Sequence, residues 1–270
     1  MPDISITNFA DNWFSGAGQV FAGLRDAVTG LPKGMFPFGN CPKVEVAMNI
    51  ERRKHKDSRT ANRTQDKVQT VTKGGEFRVT LEDIARKNVG LYLSGNQVTI
   101  AASSYSSGSP DISNDSALAV GSIWKLRKPN VSSLVIKDST GSPVTLTLGT
   151  HYRIASAKDG LVEILSLASL TQPLKAEYSY AQTIVVTGLS ADDNLEYYIY
   201  CAVTNTEPTT DQSLGFHCYR VVFNPAQVMS LINSDQGSFE LVGEILRDPV
   251  LASDTQFGEF CRWDFLDANV

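Results

Sequence analysis

Apolar and polar positions alternate with period two along most of this chain, and a helical period is confined to short stretches. Val44, Val46, Met48 and Ile50 are separated by Glu45, Ala47 and Asn49, the alternation of a half-buried strand. From Glu51 to Asp66 the sequence ERRKHKDSRTANRTQD has no Val, Ile, Leu or aromatic residue, which predicts a long basic loop over 51–67. Strand patterning resumes at Val68–Val71 and Phe77–Leu81. Thr80 and Asp83 then offer a Thr-x-x-acid helix start, with Ile84, Asn88 and Leu91 on one side and Gly95 as a stop. A polar loop of this length between strands is more often functional than incidental, and it has no core of its own to fold around.

Residues 11–28 carry the strongest helical stripe, Trp13, Ala17, Val20, Phe21, Leu24 and Val28, with Asp11 as cap and Gly30 as terminator. Gly16, Gly18 and Gly23 superficially match a dinucleotide fingerprint, but no strand precedes them and the glycines fall inside the amphipathic pattern. The Pro/Gly-rich stretch 31–42 is a connector. The expected organisation is therefore an N-terminal helix or arm with connector over 1–40 and a β domain over 41–270. Ala102–Ser116 is Ser-rich and reads as an exposed loop.

Short strands at regular spacing follow: Val131–Ile136 and Val144–Leu148 around Asp138-Ser-Thr-Gly141, then Tyr152–Ile154 and Leu161–Leu165 around Lys158-Asp-Gly160, then Lys175–Tyr180 and Ile184–Thr187. Leu195–Val203 and Phe216–Phe223 are apolar on both faces, as central strands covered on each side are. Pro225–Ile232 reads as a helical turn or two, and Phe239–Ile245 and Phe257–Phe265 as late strands. The expected fold class is mainly β: an antiparallel β-sandwich or barrel with one edge helix and the N-terminal helix.

At 270 residues with 42% hydrophobic content, the chain can bury a full core. No apolar run approaches a membrane-spanning length, and the first residues lack a secretory pattern, so synthesis and folding in a cytoplasm are expected. The net charge of −5 is unevenly spread. Residues 51–90 hold eleven Lys/Arg against six Asp/Glu, whereas residues 188–270 hold three against thirteen. A basic front and an acidic back allow copies of one chain to pair front to back.

Candidate chemistry is sparse. Cys41, Cys201, Cys218 and Cys261 are far apart with no C-x-x-C, and read as small buried apolar residues. His55, His151 and His217 have no metal-ligand spacing. There is no nucleophile elbow, P-loop or H-E-x-x-H, and no metal or cofactor is expected. Asp192-Asp193 sits in a turn composition rather than a catalytic dyad. Arg52, Arg53, Lys54, Lys56, Arg59 and Arg63 suit a protein partner better than nucleic acid, because no aromatics interleave with them and the sequence pI is about 5.3. The residues thus favour a structural or binding protein over an enzyme.

The order of features adds a resemblance. ERRKHKDSRTANRTQDK followed by KGGEFRVTLEDIARKNVGLYLSG resembles the early strand, charged loop and strand-to-helix passage of major tail tube proteins of long-tailed bacteriophages. LGTHYRIASAKDGLVEILS resembles a hairpin of those proteins, and FELVGEILRD with GEFCRWDF their closing hairpin. The resemblance covers roughly residues 38–265; the 11–28 helix and the Ser-rich segment have no place in it. It implies a β-sandwich with an edge helix, assembled as hexameric rings stacked into a hollow tube through which phage DNA passes. It implies as partners the chain itself, tape-measure, tail-tip or baseplate and tail-terminator proteins, and DNA that slides without specific binding, with no membrane. The expected location is the virion tail, assembled in the host cytoplasm. Arg52, Arg53, Lys54, Lys56, Arg59 and Arg63 are the expected inter-ring contacts. Asp192, Asp193, Glu196, Glu240, Glu244 and Asp248 are the acidic lumen or interface candidates. The alternative class is a β-sandwich binding module, an adhesin or carbohydrate-binding domain.

Overall fold

A computed structural model describes residues 14–59, 63–113, 118–192, 195–206, 213–225, 231, 232, 234 and 237–266. The described residues are mainly β, with antiparallel sheets and one short α-helix; the helical turn expected over Pro225–Ile232 falls largely outside them, and the chain divides into two compact units, 1–96 with 186–270, and 97–185.

In the first unit the first described element is a strand, β1 (Gly16–Leu24), where a helix is expected over 11–28. Asp11 and Trp13 lie outside the described residues. Three glycines explain the difference. Each costs a helix about 1 kcal/mol relative to alanine, and Gly18 lets β1 approach its neighbour so closely that a Cβ there would sit 2.0 Å from the Ala202 carbonyl oxygen. Val20 and Ala22 then point into the core by simple alternation. β2 (Phe36–Pro37) is a two-residue strand in the connector, followed by the long strands β3 (Lys43–Lys56) and β4 (Gln65–Leu81).

The helix α1 (Arg86–Tyr92) is shorter than the pattern implies. Thr80 lies within β4, and no side chain caps the helix. Asn88 instead anchors it, donating from its buried amide to the Phe38 and Asp83 carbonyls at 2.8 and 3.0 Å. Leu91 and Tyr92 plug the core, while Ile84 stays exposed.

The second unit is threaded between β5 (Asn96–Ile100) and β13 (Thr183–Thr187), which pair as a two-stranded ribbon. Between them come β6 (Ser103–Tyr105), β7 (Asp111–Ile112), β8 (Ile123–Lys125) and β9 (Val131–Lys137). β10 (Tyr152–Ser156), β11 (Leu161–Ile164) and β12 (Lys175–Tyr180) complete it. One sheet runs β10-β11-β8; in the other β12 pairs with β6, β7 and β9. Both supply one core that includes Trp124, Ile136, Tyr152, Val162, Leu174 and Tyr178. The expected loop over 102–116 thus contains two short strands, and the expected strand at 144–148 is reduced to two isolated bridges, Lys137 to Thr145 and Leu148 to Tyr152. The β10–β11 hairpin forms as its turn residues dictate: Gly160 has φ +66°, and a Cβ there would meet the Lys128 carbonyl oxygen at 2.5 Å.

β14 (Glu196–Asn205), β15 (Ser213–Phe223), β16 (Phe239–Ile245) and β17 (Cys261–Phe265) return the chain to the first unit. Its sheet runs β2-β1-β14-β15-β16-β4-β3, with β17 also on β15. The two late strands do not form a hairpin with each other. β17 pairs with Leu214–Cys218 and β16 with Val221–Phe223, in succession along β15. Inward residues of nearly every strand, among them Val20, Phe77, Val79, Ile199, Phe216 and Leu241, share one core, so the sheet curls around its own face. β14 and β15 are covered outside as well, where Tyr198 and Tyr219 pack with Leu251 and Phe257.

Candidate assembly surface

The stretch expected as a loop over 51–67 is the outer half of a β-hairpin arm. β3 and β4 stay paired from Lys43–Thr80 out to Lys56–Gln65, with irregularities at Glu51/Arg52 and His55/Lys56. The extended backbone that starts at Lys43 continues into the charged run, although the apolar alternation ends at Ile50. β16 accompanies β4 only as far as Gly75, so beyond that point the two strands have only each other. Asn49 to Lys56, eight residues at about 3.3 Å each, project roughly 26 Å from the sheet.

The two faces of the arm differ. Val44 and Val46 lie opposite Val79 and Phe77 and belong to the core face. The same face continues outward as Met48 and Ile50, 52% and 48% exposed, and then as Arg52 and Lys54. Val68 and Val71 of β4 are also about half exposed, at 47% and 49%. An apolar strip thus leaves the core and runs into solvent before turning cationic. An isolated two-stranded ribbon is marginally stable in water, and among the described residues nothing apolar covers this one.

At the tip, His55 and Asp66 approach to 2.6 Å, and Arg59 pairs with Asp57 at 3.1 Å. The amide and guanidinium of Arg59 hold the Asp57 carboxyl below its ordinary value. Arg52, Arg53, Lys54, Lys56 and Arg63 are exposed and form no ion pair among the described residues.

The acidic candidates separate into three groups. Glu240 and Glu244 stand on the outer face of β16, exposed and without an ion pair among the described residues. Glu244 lies directly across from Glu76, and Arg78 lies between Val242 and Glu45. Arg78 donates to Glu76 at 2.7 Å. That bond, with the charges of Glu240 and Glu45, pushes the Arg78 guanidinium up from its ordinary value. Glu45, itself paired with Lys43 at 2.9 Å, joins Glu76, Glu240 and Glu244 at the root of the arm in a surface of four carboxylates against two cations, Lys43 and Arg78.

Asp248 and Glu196 serve the fold instead. Asp248 is fully buried, receives Arg25 at 2.6 and 2.9 Å, and accepts the Val250 and Leu251 amides. Burial alone would raise its carboxyl; the Arg25 hydrogen bonds and the two amides outweigh this and leave it below the ordinary value. Buried and fully engaged, Asp248 has no surface to offer to a lumen or an interface. Glu196 is shared by Arg25 and Arg220. Asp192 is exposed, and Asp193 lies outside the described residues.

Two other features bear on chemistry. A cleft of about 330 Å³ opens between β1 and β3, where the curled sheet stops short of closing; Gly16–Val20 and Val44 line its sides, and Phe216 and Trp263 also line it. Among the described residues no carboxylate, histidine, lysine or arginine lines it, and burial pushes the thiols of Cys41 and Cys201, which do, above their ordinary value. Outside the core, His217 lies between the Tyr198 hydroxyl at 2.8 Å and Asp264 at 3.1 Å. Burial pushes the Tyr198 hydroxyl up to about 12, which makes it a poor nucleophile near neutral pH. Among the described residues, no three His, Cys, Asp or Glu converge as metal ligands, and no helix is long and apolar enough to cross a membrane.

No curated protein matches the chain. A family model described as "Protein of unknown function UCP028589" matches residues 13–264.

Proposed function

The chain belongs to that family, and we propose that it is a structural protein that polymerises through its hairpin arm, as the tail tube subunit of a long-tailed bacteriophage. The observation that carries this reading is the arm itself. A ribbon some eight residue pairs long, apolar at its base and cationic toward its tip, exists at a cost unless a second surface covers it. The acidic surface of Glu45, Glu76, Glu240 and Glu244 is its complement in charge. Donor arm and acceptor surface are different parts of one subunit, and such heterologous contacts generate closed rings or open stacks rather than closed dimers. The order of the strands, the charged arm and the following helix supports the tail-tube assignment, in which hexameric rings stack into a conduit for DNA.

Negative-stain electron microscopy of the concentrated protein at low and high salt tests this. Hollow rings or tubes of uniform width are expected, favoured at low salt, where exposed charges are least screened. Small monodisperse particles at every concentration and salt would contradict it.

A further inference from the structure

The four cysteines, scattered over the sequence, meet at the core of the first unit. Cys201 and Cys218 are buried on β14 and β15, and half-buried Cys41 and Cys261 pack against the same cluster. Cys218 and Cys261 are direct partners across β15 and β17. In this ladder the Tyr219 amide donates to the Phe260 carbonyl at 3.2 Å, and the Leu266 amide to the Ser213 carbonyl at 2.9 Å. Pairs 219/260 and 213/266 are therefore the hydrogen-bonded ones, and by alternation Cys218 and Cys261 occupy a non-hydrogen-bonded position. Opposed Cα atoms there lie about 4.5 Å apart with their side chains on one face, within the separation that a disulfide spans.

We infer that Cys218 and Cys261 are a modification site, a thiol pair that closes reversibly to a disulfide and staples the last strand to the sheet. Among the described residues β17 has one strand neighbour, β15, and it carries the exposed Trp263 and Phe265, so it is a strand a staple would secure. The oxidant is a low-molecular-weight disulfide, and the half-buried Cys261 is the sulfur it reaches first. The Cys261 thiol gives its proton to solvent, and its thiolate attacks one sulfur of the reagent, forming a mixed disulfide and expelling a thiolate. Cys218, deprotonated in turn, attacks Cys261 Sγ and expels the second thiolate. Two protein thiols lose two electrons and two protons, and the reagent disulfide becomes two thiols. Burial pushes both protein thiols above their ordinary value, so closure is slow at neutral pH and accelerates as pH rises. This chemistry does not depend on the assembly reading.

The test treats the folded, reduced full-length chain with oxidised glutathione at alkaline pH, blocks free thiols, and maps linkages by mass spectrometry of a non-reducing digest. A Cys218–Cys261 cross-link that dithiothreitol reverses is expected, with a rise in Tm of roughly 5–10 °C. Cys218→Ala should leave a glutathionyl adduct on Cys261 and no cross-link. Cys261→Ser, at the more accessible position, should abolish both. Oxidation that joins Cys41 to Cys201 while Cys218 and Cys261 stay unlinked, or a cross-link that forms only in denaturant, would overturn the inference.

Discussion

Glu244 and Glu76 face each other directly across β16 and β4, and among the described residues only Glu76 has a cation, Arg78, bonded to it. Like charges in opposed positions on a sheet are destabilising. A subunit that keeps such a pair on its outer face gives up stability at that spot, and the assembly account supplies the compensation: a cationic arm from another copy.

Glu244→Lys should therefore act in opposite directions on folding and on assembly. The isolated subunit should gain about 0.2–1 kcal/mol in urea unfolding as the repulsion becomes an attraction. Ring or tube formation at the same protein concentration should fall sharply, as measured by pelleting.

Charge reversal in the arm separates folding from assembly in the complementary way. Arg52→Glu with Lys54→Glu alters exposed side chains that make no ion pair among the described residues. Subunit stability should stay within about 0.5 kcal/mol of the parent, as for other surface changes. Assembly should be lost, and adding Glu240→Lys with Glu244→Lys in the same chain should restore it.

The Arg25–Asp248 pair predicts an acid-sensitive fold. Asp248→Asn leaves Arg25, whose side chain is only 4% exposed, without its main counter-ion, and should cost about 3–5 kcal/mol at neutral pH. The folded Asp248 carboxyl is held below its ordinary value. Its contribution is thus fully present above the unfolded carboxyl's pKa of about 3.9 and is lost as pH falls through the folded value. Urea titrations of parent and variant should diverge at pH 7 and converge toward pH 2.

Gly18→Ala tests why the first described strand is a strand. A Cβ 2.0 Å from the Ala202 carbonyl oxygen forces β1 away from β14. The expected loss is about 1–3 kcal/mol, the usual range for overpacking, read as a lowered denaturant midpoint.

The strands the sequence marks most clearly are those whose side chains meet a core. Phe239–Ile245 appears with its expected limits, and β14 and β15 are covered on both faces, as their two-sided apolar composition implies. The helical stripe from Trp13 to Val28 misleads because Val20, Leu24 and Val28 satisfy a helical spacing while Val20 and Ala22 satisfy a strand's. Only tertiary contact, of Gly18 with Ala202 and of Gly23 with Gly34, gives these glycines their purpose. The arm was half legible. Its composition marked 51–67 as solvated, yet a ribbon solvated on both faces carries no apolar signature, so it reads as a loop. What identifies it is the β3–β4 register, which places Val68 opposite Lys54 and which composition does not report. The acidic surface was not legible, because Glu45, Glu76, Glu240 and Glu244 meet only through the β16–β4–β3 register.

Shortening the arm tests the central claim most directly. Replacing Glu51–Thr72 with Asn-Gly joins Ile50 to its partner Lys73 through a two-residue turn and leaves every core residue in place. Sedimentation velocity of parent and shortened chains at matched concentration and low salt reads the result. The account predicts large assemblies from the parent and only folded monomer from the shortened chain. Equal assembly by both chains would contradict it.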